Sequence, residues 1–263
     1  MNVNEFFTWA EERYFSSTPS AKKIRTLLKD EGELIVNDHI ALRTFNFKGI
    51  NVSDFGAFFE NLGYVKKDSY EFPAKKVQAT HYEKIGFPKV FISELLVEKL
   101  SLKSQDIIKK VISEIPKGTK VEELFLQKRL WGITTEDYKL LAKESEYASW
   151  VYAWGFEPNH FTVLVNKLKK FDQLEKLNKF LKEKGFILNS SGGEIKGSPE
   201  VYLEQSSTMA DKSVVEFNDG KLEVPSCYYE FAFRHNKEDG KRFEGFVSSS
   251  ADKIFESTNE LGR

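Results

Sequence analysis

The sequence predicts an α+β fold in which two βαβββ modules form a metal-binding cup, with helices before the first module and between the modules. Two observations indicate this fold. The order strand, helix, strand, strand, strand occurs at residues 37–96 and again at residues 158–236, which is the pattern of an internal repeat. In addition, the chain has only four histidines, and two of them, His39 and His160, stand in the first strand of the two occurrences.

The spacing within the two occurrences supports the repeat. Gly63, which is expected to end the helix of the first module, lies 24 residues after His39, and Gly185 lies 25 residues after His160. Residue identity between the modules is low, so the repeat is recognised from order and length. With 263 residues, of which 40% are hydrophobic, the chain is long and apolar enough to form one integrated globular domain.

Residues 1–36 are expected to form two helices. Residues 5–14 are aromatic and acidic, and residues 18–29 begin with Thr-Pro-Ser. This start is typical of a helix because threonine caps the first turn and proline is tolerated at the first helical position. The two helices are expected to pack on the modules that follow.

The first module begins at Asn37 with NDHIALRTF, a run of strand-forming residues. A helix is expected over residues 53–62, where a capping serine precedes apolar residues at helical spacing and Gly63 follows. Three further strands are expected at residues 64–72, 77–84 and 89–95, separated by turns that contain proline.

Residues 97–157 predict a helical insert between the modules. Its helices are expected at residues 100–114, 121–130 and 135–147, with Pro-Lys-Gly between the first two and a Thr-Thr cap before the third. The segment has no Gly/Ser-rich hinge, so it is an insert and not a flexible linker.

The second module repeats the order of the first. Its elements are expected to be the strand NHFTVLVN, an amphipathic helix over residues 171–184, and strands that begin at residue 186 and span residues 201–209 and 226–234. The C-terminal segment, residues 237–263, is expected to close the site.

Composition excludes several classes of partner. The chain has 39 Lys and Arg against 40 Asp and Glu, so it lacks the positive field that attracts nucleic acids. No segment approaches the roughly 20 apolar residues of a membrane-spanning helix, and the N-terminus lacks the pattern of a signal peptide. Cys227 is the single cysteine, which excludes an internal disulfide and favours a reducing, cytoplasmic location.

His39, His160 and Glu230 are the candidate metal ligands. The first strands of two pseudo-symmetric modules can direct side chains at one centre, and imidazole is the commonest metal ligand. Glu230 stands in the aromatic strand SCYYEFAFR, where burying a carboxylate is costly unless it is paired or bound to a metal. Each residue alone is more typical of a core position or an ion pair, but together they predict a 2-His-1-carboxylate site.

Arg43 is the candidate for binding a carboxylate, because it lies four residues after His39 and shares its face of the strand. A structural ion pair, for example with Glu94, is the alternative. Arg234 shares a face with Glu230 and is either a second anion contact or a structural partner of that ligand. Gln205 lies in a strand with alternating polar residues, which suits either support of the site or a half-exposed surface.

Glu94 is a possible additional ligand, since it occupies a strand like that of Glu230 in the first module. Four ligands would leave two open positions and suit Lewis-acid isomerisation instead of O₂ chemistry. The other two histidines, His81 and His235, are not expected to be ligands, and Cys227 is expected to be a small buried residue and not a nucleophile.

A serine cluster at residues 248–250 precedes a short helical run. Backbone N–H groups at a helix start can receive a carboxylate. Plain N-capping by Ser250 is the alternative.

Several of these motifs together resemble one family. NDHIALRTF, FISELLVEKLS, NHFTVLVN, LEQSSTMAD and YYEFAFR are similar to the 2-oxoadipate dioxygenase/decarboxylase family, formerly a family of unknown function. The resemblance runs from about Asn37 to the C-terminal helix and identifies the chain as a short member. It implies a fold of the vicinal-oxygen-chelate type, an Fe(II) cofactor, and conversion of 2-oxoadipate and O₂ to (R)-2-hydroxyglutarate and CO₂ in lysine degradation.

The resemblance also implies roles for individual residues. Its metal ligands would fall on His39, His160 and Glu230, its substrate-binding arginine on Arg43, and its C-terminal substrate contact on Ser249 and Ser250. The partners would be a small 2-oxo acid and O₂, and no oligomeric state is predicted. Two other functions remain open at this point: a metal-dependent isomerase or hydrolase that uses a fourth carboxylate ligand, and a non-catalytic module that binds a small ligand.

Overall fold

The computed structural model describes residues 1–258 of the chain. The end of the predicted C-terminal segment, residues 259–263, therefore lies outside the described residues. The N-terminal helices are α1 (Val3–Ser17) and α2 (Pro19–Asp30). The side chain of Asn2 caps α1 by accepting a hydrogen bond from the backbone of Glu5, so this helix begins at Val3, before the predicted start at residue 5. Pro19 begins α2 after Thr18, but the side chain of Thr18 makes no capping hydrogen bond.

The first module has the predicted order of elements. These are β1 (Asn37–Phe45), α3 (Val52–Asn61), β2 (Val65–Phe72), β3 (Val77–Glu83) and β4 (Lys89–Leu95). The side chain of Asn51 caps α3 by accepting a hydrogen bond from Asp54, so this helix begins slightly earlier than the predicted serine cap.

The insert contains four helices instead of three. They are α4 (Leu102–Ser113), α5 (Val121–Leu126), α6 (Thr135–Glu144) and α7 (Glu146–Trp154). The predicted helix over residues 135–147 is interrupted at Ser145, whose backbone is extended and whose side chain caps α7 by accepting from the backbone of Ala148. This break starts a separate, largely buried helix that packs beside β1.

The second module contains additional elements. Its strands and helix are β5 (Pro158–Leu164), α8 (Leu174–Glu183), β6 (Lys196–Ser198), β7 (Leu203–Ser207), β8 (Lys212–Phe217), β9 (Gly220–Pro225) and β10 (Tyr228–Arg234), and α9 (Ser248–Ile254) follows. The strand predicted from residue 186 is wrong: only an isolated bridge joins Leu188 to Thr208, and the strand forms later, at β6.

The hairpin of β8 and β9 was not predicted from the sequence. It forms a separate two-stranded sheet. Its signal is the run Asn218-Asp219-Gly220 between two strand-like runs: the chain turns at Asn218 and Asp219, and Gly220 is the first residue of β9, paired with Phe217.

One eight-stranded sheet combines both modules, with the order β2-β3-β4-β1-β5-β10-β7-β6. The antiparallel pair β1 and β5 lies at its centre, and each module extends outward from it in the same order. Within the modules β1 pairs with β4 in parallel and β5 pairs with β10 in parallel. This pseudo-symmetry confirms the predicted α+β fold of two βαβββ modules.

The two faces of the sheet have different covers. Tyr14 of α1 packs on Phe161 of β5, with ring centroids 5.1 Å apart. His160 precedes Phe161 and therefore points to the opposite face, which is covered by α9.

None of the helices in residues 1–258 has the length and hydrophobicity needed to span a bilayer.

Replacing Gly56 with alanine tests how closely α3 packs on the sheet. A Cβ at this position would lie 1.9 Å from the hydroxyl of Tyr82, so the helix or the ring must shift. We expect Gly56→Ala to lower the free energy of unfolding by about 1–3 kcal/mol, measured by urea denaturation. Ser53→Ala, at an exposed position of the same helix, is the control and should change it by less than about 0.5 kcal/mol. Equal effects of the two substitutions would contradict this packing.

Candidate metal centre

Strands β1, β5 and β10 bring His39, His160 and Glu230 together on one face of the sheet. One potential ligand atom of each residue lies within 4.8 Å of those of the other two. The Nε2 atom of His39 is 3.6 Å from Oε1 of Glu230, and Nε2 of His160 is 3.2 Å from Oε2. All three side chains are buried, so a shared ion would be shielded from bulk water.

The residue before each histidine orients its ring. Oδ2 of Asp38 lies 2.8 Å from Nδ1 of His39, and Oδ1 of Asn159 lies 2.9 Å from Nδ1 of His160. An acceptor at Nδ1 fixes the proton there and leaves the Nε2 lone pair free to bind a metal. The Asx-His dipeptide of each module is therefore one functional unit.

Arg234 supports the site through Asp38. Its Nε and Nη2 atoms donate to the two carboxylate oxygens of Asp38 at 2.7 and 2.8 Å. Burial opposes ionisation, but the charge and hydrogen bonds of Arg234 hold the pKa of Asp38 well below its ordinary value. Arg234 is thus a structural partner of Asp38. The predicted alternative in which Arg234 is the structural partner of Glu230 is wrong.

Gln205 contacts the third member of the triad. Its Nε2 atom donates to Oε1 of Glu230 at 2.6 Å, and the side chain is buried, so the half-exposed alternative is wrong. Burial opposes ionisation of Glu230, but the two histidines and Gln205 keep its pKa below the ordinary value. Burial also lowers the pKa of His160, which favours the neutral imidazole that binds metals.

These residues fit a divalent first-row metal ion. Two imidazole nitrogens and one carboxylate form the 2-His-1-carboxylate set, which occupies one face of an octahedral ion and is typical of non-haem Fe(II) oxygenases. The donor set therefore agrees with iron and leaves about three coordination positions for other ligands. The Oγ1 atom of Thr162 lies 3.0 Å from Nε2 of His39, the nitrogen that faces Glu230.

Glu94 lies away from the triad. It accepts a hydrogen bond of 2.6 Å from the backbone N–H of Val52, at the start of α3, and another from the side chain of Gln78. The expectation that Glu94 is the counterpart of Glu230 is wrong, because Glu94 pairs with Thr44, the residue after Arg43, and its side chain therefore points to the opposite face of the sheet, toward α3.

The strand register identifies the true counterpart of Glu230. Glu230 pairs with Thr162, two residues after His160, whereas Ala41, two residues after His39, pairs with Phe91. Phe91 lines the cavity beside the triad. An apolar ring thus occupies the place of a fourth ligand, which removes the basis for the four-ligand isomerase or hydrolase.

Arg43 is buried near the site, but its ion-pair partner is Glu146 of α7 and not Glu94. Its Nη1 atom donates to Glu146 at 2.6 Å and its Nη2 atom donates to Oγ1 of Thr258 at 3.3 Å. The guanidinium also lies over the ring of Phe255, 5.5 Å from the centroid. Its Nε atom has no hydrogen-bond partner within residues 1–258.

The two serines are not placed as expected. Ser249 is exposed, and Ser250 is buried inside α9, which begins at Ser248. The N-cap of α9 is Val247, so the prediction that Ser250 caps the helix is wrong. Neither serine lines the cavity beside the triad, where other residues of the C-terminal segment lie instead.

The remaining histidines and the cysteine lie outside the triad. His81 interacts with Tyr70 and with Glu83, and His235 interacts with Glu204. Cys227 is fully buried, and burial raises its pKa to about 12, so its thiol is not an activated nucleophile.

The cavity beside the triad is small and covered. Its volume is about 20 Å³, which is room for about one water molecule. Phe246, Ala251, Ile254 and Phe255 form its outer wall, and we call these four residues the C-terminal cover. The aromatic rings of the cover contact His39 and Arg43, so the cover spans the triad and the arginine.

Tyr228 was missed in the sequence, although a signal for it exists. It lies two residues before Glu230 and therefore shares its face of β10. Its ring stacks on His160, with centroids 4.5 Å apart and planes at 27°. The same period of two that identified Arg234 would have identified Tyr228.

Residues 8–240 match the family model described as 2-oxoadipate dioxygenase/decarboxylase. The chain belongs to this family. A relative from rice, named 2-oxoadipate dioxygenase/decarboxylase, is 39% identical over 95% of this chain and 76% of its own length. A relative from Arabidopsis thaliana with the same name is 36% identical over 94% of this chain and 75% of its own.

Solved structures agree with the fold. The rice hydroxyglutarate synthase in complex with 2-oxoadipate has a TM-score of 0.91 and 37% identity, over 98% of this chain and 92% of that one. A protein from Shewanella frigidimarina described as a candidate hydrolase has a TM-score of 0.87 and 48% identity, over 94% and 98%. A glyoxalase superfamily protein from Ralstonia eutropha, at 20% identity and a TM-score of 0.71 over 89% and 82%, shows the vicinal-oxygen-chelate type of fold alone.

Replacing Asn159 with alanine tests the orienting hydrogen bond. Without the acceptor at Nδ1, the ring of His160 loses its fixed tautomer, so we expect the affinity for Fe(II) to fall about 10- to 100-fold in anaerobic metal titrations. Asn178→Ala is the matched control, because Asn178 is an equally buried amide that bonds Ser206 instead of a ligand. A similar loss of affinity in both variants would show that the effect is general destabilisation.

Proposed function

We propose that this protein is an Fe(II)-dependent dioxygenase that converts 2-oxoadipate and O₂ to (R)-2-hydroxyglutarate and CO₂. The observation that carries the proposal is the buried triad of His39, His160 and Glu230 in a member of the 2-oxoadipate dioxygenase/decarboxylase family. We place the reaction in lysine degradation, as the family resemblance implies, and in the cytoplasm, where the free Cys227 is expected to stay reduced.

The triad supports a single iron ion as the cofactor. His39 and His160 offer neutral nitrogens and Glu230 offers one negative charge, so the site would retain a net positive charge when Fe(II) is bound. That charge favours an anionic 2-oxo acid as a further ligand. Bound iron supplies the one-electron chemistry that O₂ requires, and the protein supplies position and electrostatics.

Arg43 is proposed to bind the distal carboxylate of the substrate. A guanidinium binds carboxylates in a bidentate manner, and this one is buried beside the cavity of the triad. Glu146 and Thr258 accept hydrogen bonds from two of its nitrogens, and the third nitrogen, Nε, has no partner within residues 1–258. The arginine therefore retains capacity for one more acceptor.

The C-terminal cover is proposed to move when the substrate binds. The cavity holds about one water molecule, whereas 2-oxoadipate has a chain of six carbon atoms. Phe246 and Phe255 would then close over the substrate and exclude water from the reacting atoms.

The direct test is anaerobic loading with Fe(II), followed by measurement of O₂ consumption and CO₂ release with 2-oxoadipate. We expect one CO₂ released for each O₂ consumed, and loss of both activities in His160→Ala. His235→Ala is the control, because His235 pairs with Glu204 outside the triad, and it should retain both.

The possible failures of this test are distinguishable. Iron binding without turnover of 2-oxoadipate would retain the metal centre and reject the proposed substrate. Failure of the wild-type protein to bind any divalent metal ion would reject the enzyme and favour a module that only binds a small ligand.

Arg43 has a test of its own. Removing it alone would leave Glu146 uncompensated, so we compare Arg43→Met/Glu146→Gln with Glu146→Gln. We expect the double variant to show a KM for 2-oxoadipate about 100-fold higher than the single variant, with equal iron content, because charge-assisted hydrogen bonds to the distal carboxylate are lost. A parallel loss of iron would contradict a role in substrate binding.

A further inference from the structure

We infer that Tyr228 selects dicarboxylic substrates by donating a hydrogen bond from its hydroxyl to the distal carboxylate held at Arg43. The inference rests on the proposed function and deepens it, because it assigns a specificity-determining role to a second residue. Three observations carry it: the position of the ring, the lack of a partner for the hydroxyl, and the lack of a partner for one nitrogen of Arg43.

The ring of Tyr228 lies on the substrate side of the sheet. Tyr228 pairs with His160 in the register of β10 and β5, and its ring stacks on the imidazole of that ligand. It also lines the cavity beside the triad, together with Phe255 of the C-terminal cover. A molecule bound in this cavity would therefore contact the tyrosine.

The hydroxyl of Tyr228 has no hydrogen-bond partner within residues 1–258, although the side chain is fully buried. Buried polar groups are normally satisfied, and the nearby hydroxyl of Tyr147 bonds to Ser93. A phenol has an ordinary pKa near 10, so it is a donor at neutral pH. An acceptor on the substrate would satisfy it.

The strand register brings Arg43 and Tyr228 near each other on the face of the sheet that carries the triad. Ala41 pairs with His160, which also pairs with Tyr228, and Arg43 follows Ala41 by two residues on the same face of β1. Phe255 contacts the guanidinium and lines the cavity of the tyrosine. The unpaired Nε of Arg43 and the unpaired hydroxyl thus form two donors at one end of the site.

The chemistry of the two donors selects one class of substrate. A carboxylate carries two oxygen acceptors and a negative charge, so it can satisfy the guanidinium and the phenol together. A methyl group at the same position satisfies neither and leaves both buried donors unpaired. The site should therefore favour 2-oxo acids with a second carboxylate over 2-oxo acids of equal length with an apolar end.

The structure offers a matched control. Tyr229, the next residue, is also fully buried with a hydroxyl that has no partner within residues 1–258. It faces the other side of the sheet, where it packs against Tyr14 and Phe15 of α1. Tyr228→Phe and Tyr229→Phe therefore remove the same unpaired group from opposite faces.

The test compares 2-oxoadipate with 2-oxohexanoate, which ends in a methyl group. We expect Tyr228→Phe to raise the KM for 2-oxoadipate about 10- to 100-fold with little change in kcat, and to leave the KM for 2-oxohexanoate unchanged. Tyr229→Phe should change neither. Binding of 2-oxoadipate to the iron-loaded protein without O₂, measured by titration calorimetry, should weaken by the same factor in Tyr228→Phe.

The outcomes separate the inference from the proposed function. Unchanged binding of 2-oxoadipate in Tyr228→Phe would overturn the inference, and so would equal weakening for both acids, which would mean that the tyrosine acts only through His160. If the wild-type protein turns over neither acid, the proposed function fails. The calorimetric titration still tests the inference in that case.

Discussion

The buried carboxylate of Glu230 is the constraint on which the site depends. Its side chain is 1% exposed in an aromatic strand, and removing an unpaired carboxylate from water is one of the most costly events in folding. His39, His160 and Gln205 surround it, and they come from β1, β5 and β7. The carboxylate thus ties both modules together at the centre of the sheet.

The surroundings of the triad depart from two-fold symmetry, and the departures agree with a three-ligand site. One histidine is oriented by a charged pair, Asp38 with Arg234, and the other by the neutral amide of Asn159. Phe91 occupies the place that corresponds to Glu230. The symmetric scaffold therefore supplies one anionic ligand instead of two, which keeps coordination positions open.

The sequence predicted the modules and the triad because both depend on local patterns. A period of two along strands, a glycine after each helix and the rare histidine at equivalent positions are all visible without a structure. The same period would also have identified Tyr228. The turn at Asn218 and Asp219 between β8 and β9 was likewise visible but was not used.

Other parts of the site depend on contacts that no local pattern contains. Arg43 pairs with Glu146 across 103 positions, and Arg234 pairs with Asp38 across 196. Glu94 was misassigned because the motif alone does not give the register of β4 against β1, in which Glu94 pairs with Thr44 and faces away from the triad. The helix that carries Glu146 begins at the cap of Ser145, which interrupts the single helix predicted over residues 135–147.

The measurement that tests the central claim most directly is a crystal structure of the protein loaded anaerobically with Fe(II), with anomalous scattering recorded at the iron edge. The account predicts one strong anomalous peak per chain, bound by Nε2 of His39, Nε2 of His160 and a carboxylate oxygen of Glu230. No peak at the triad, or iron bound at a different set of residues, would contradict the account.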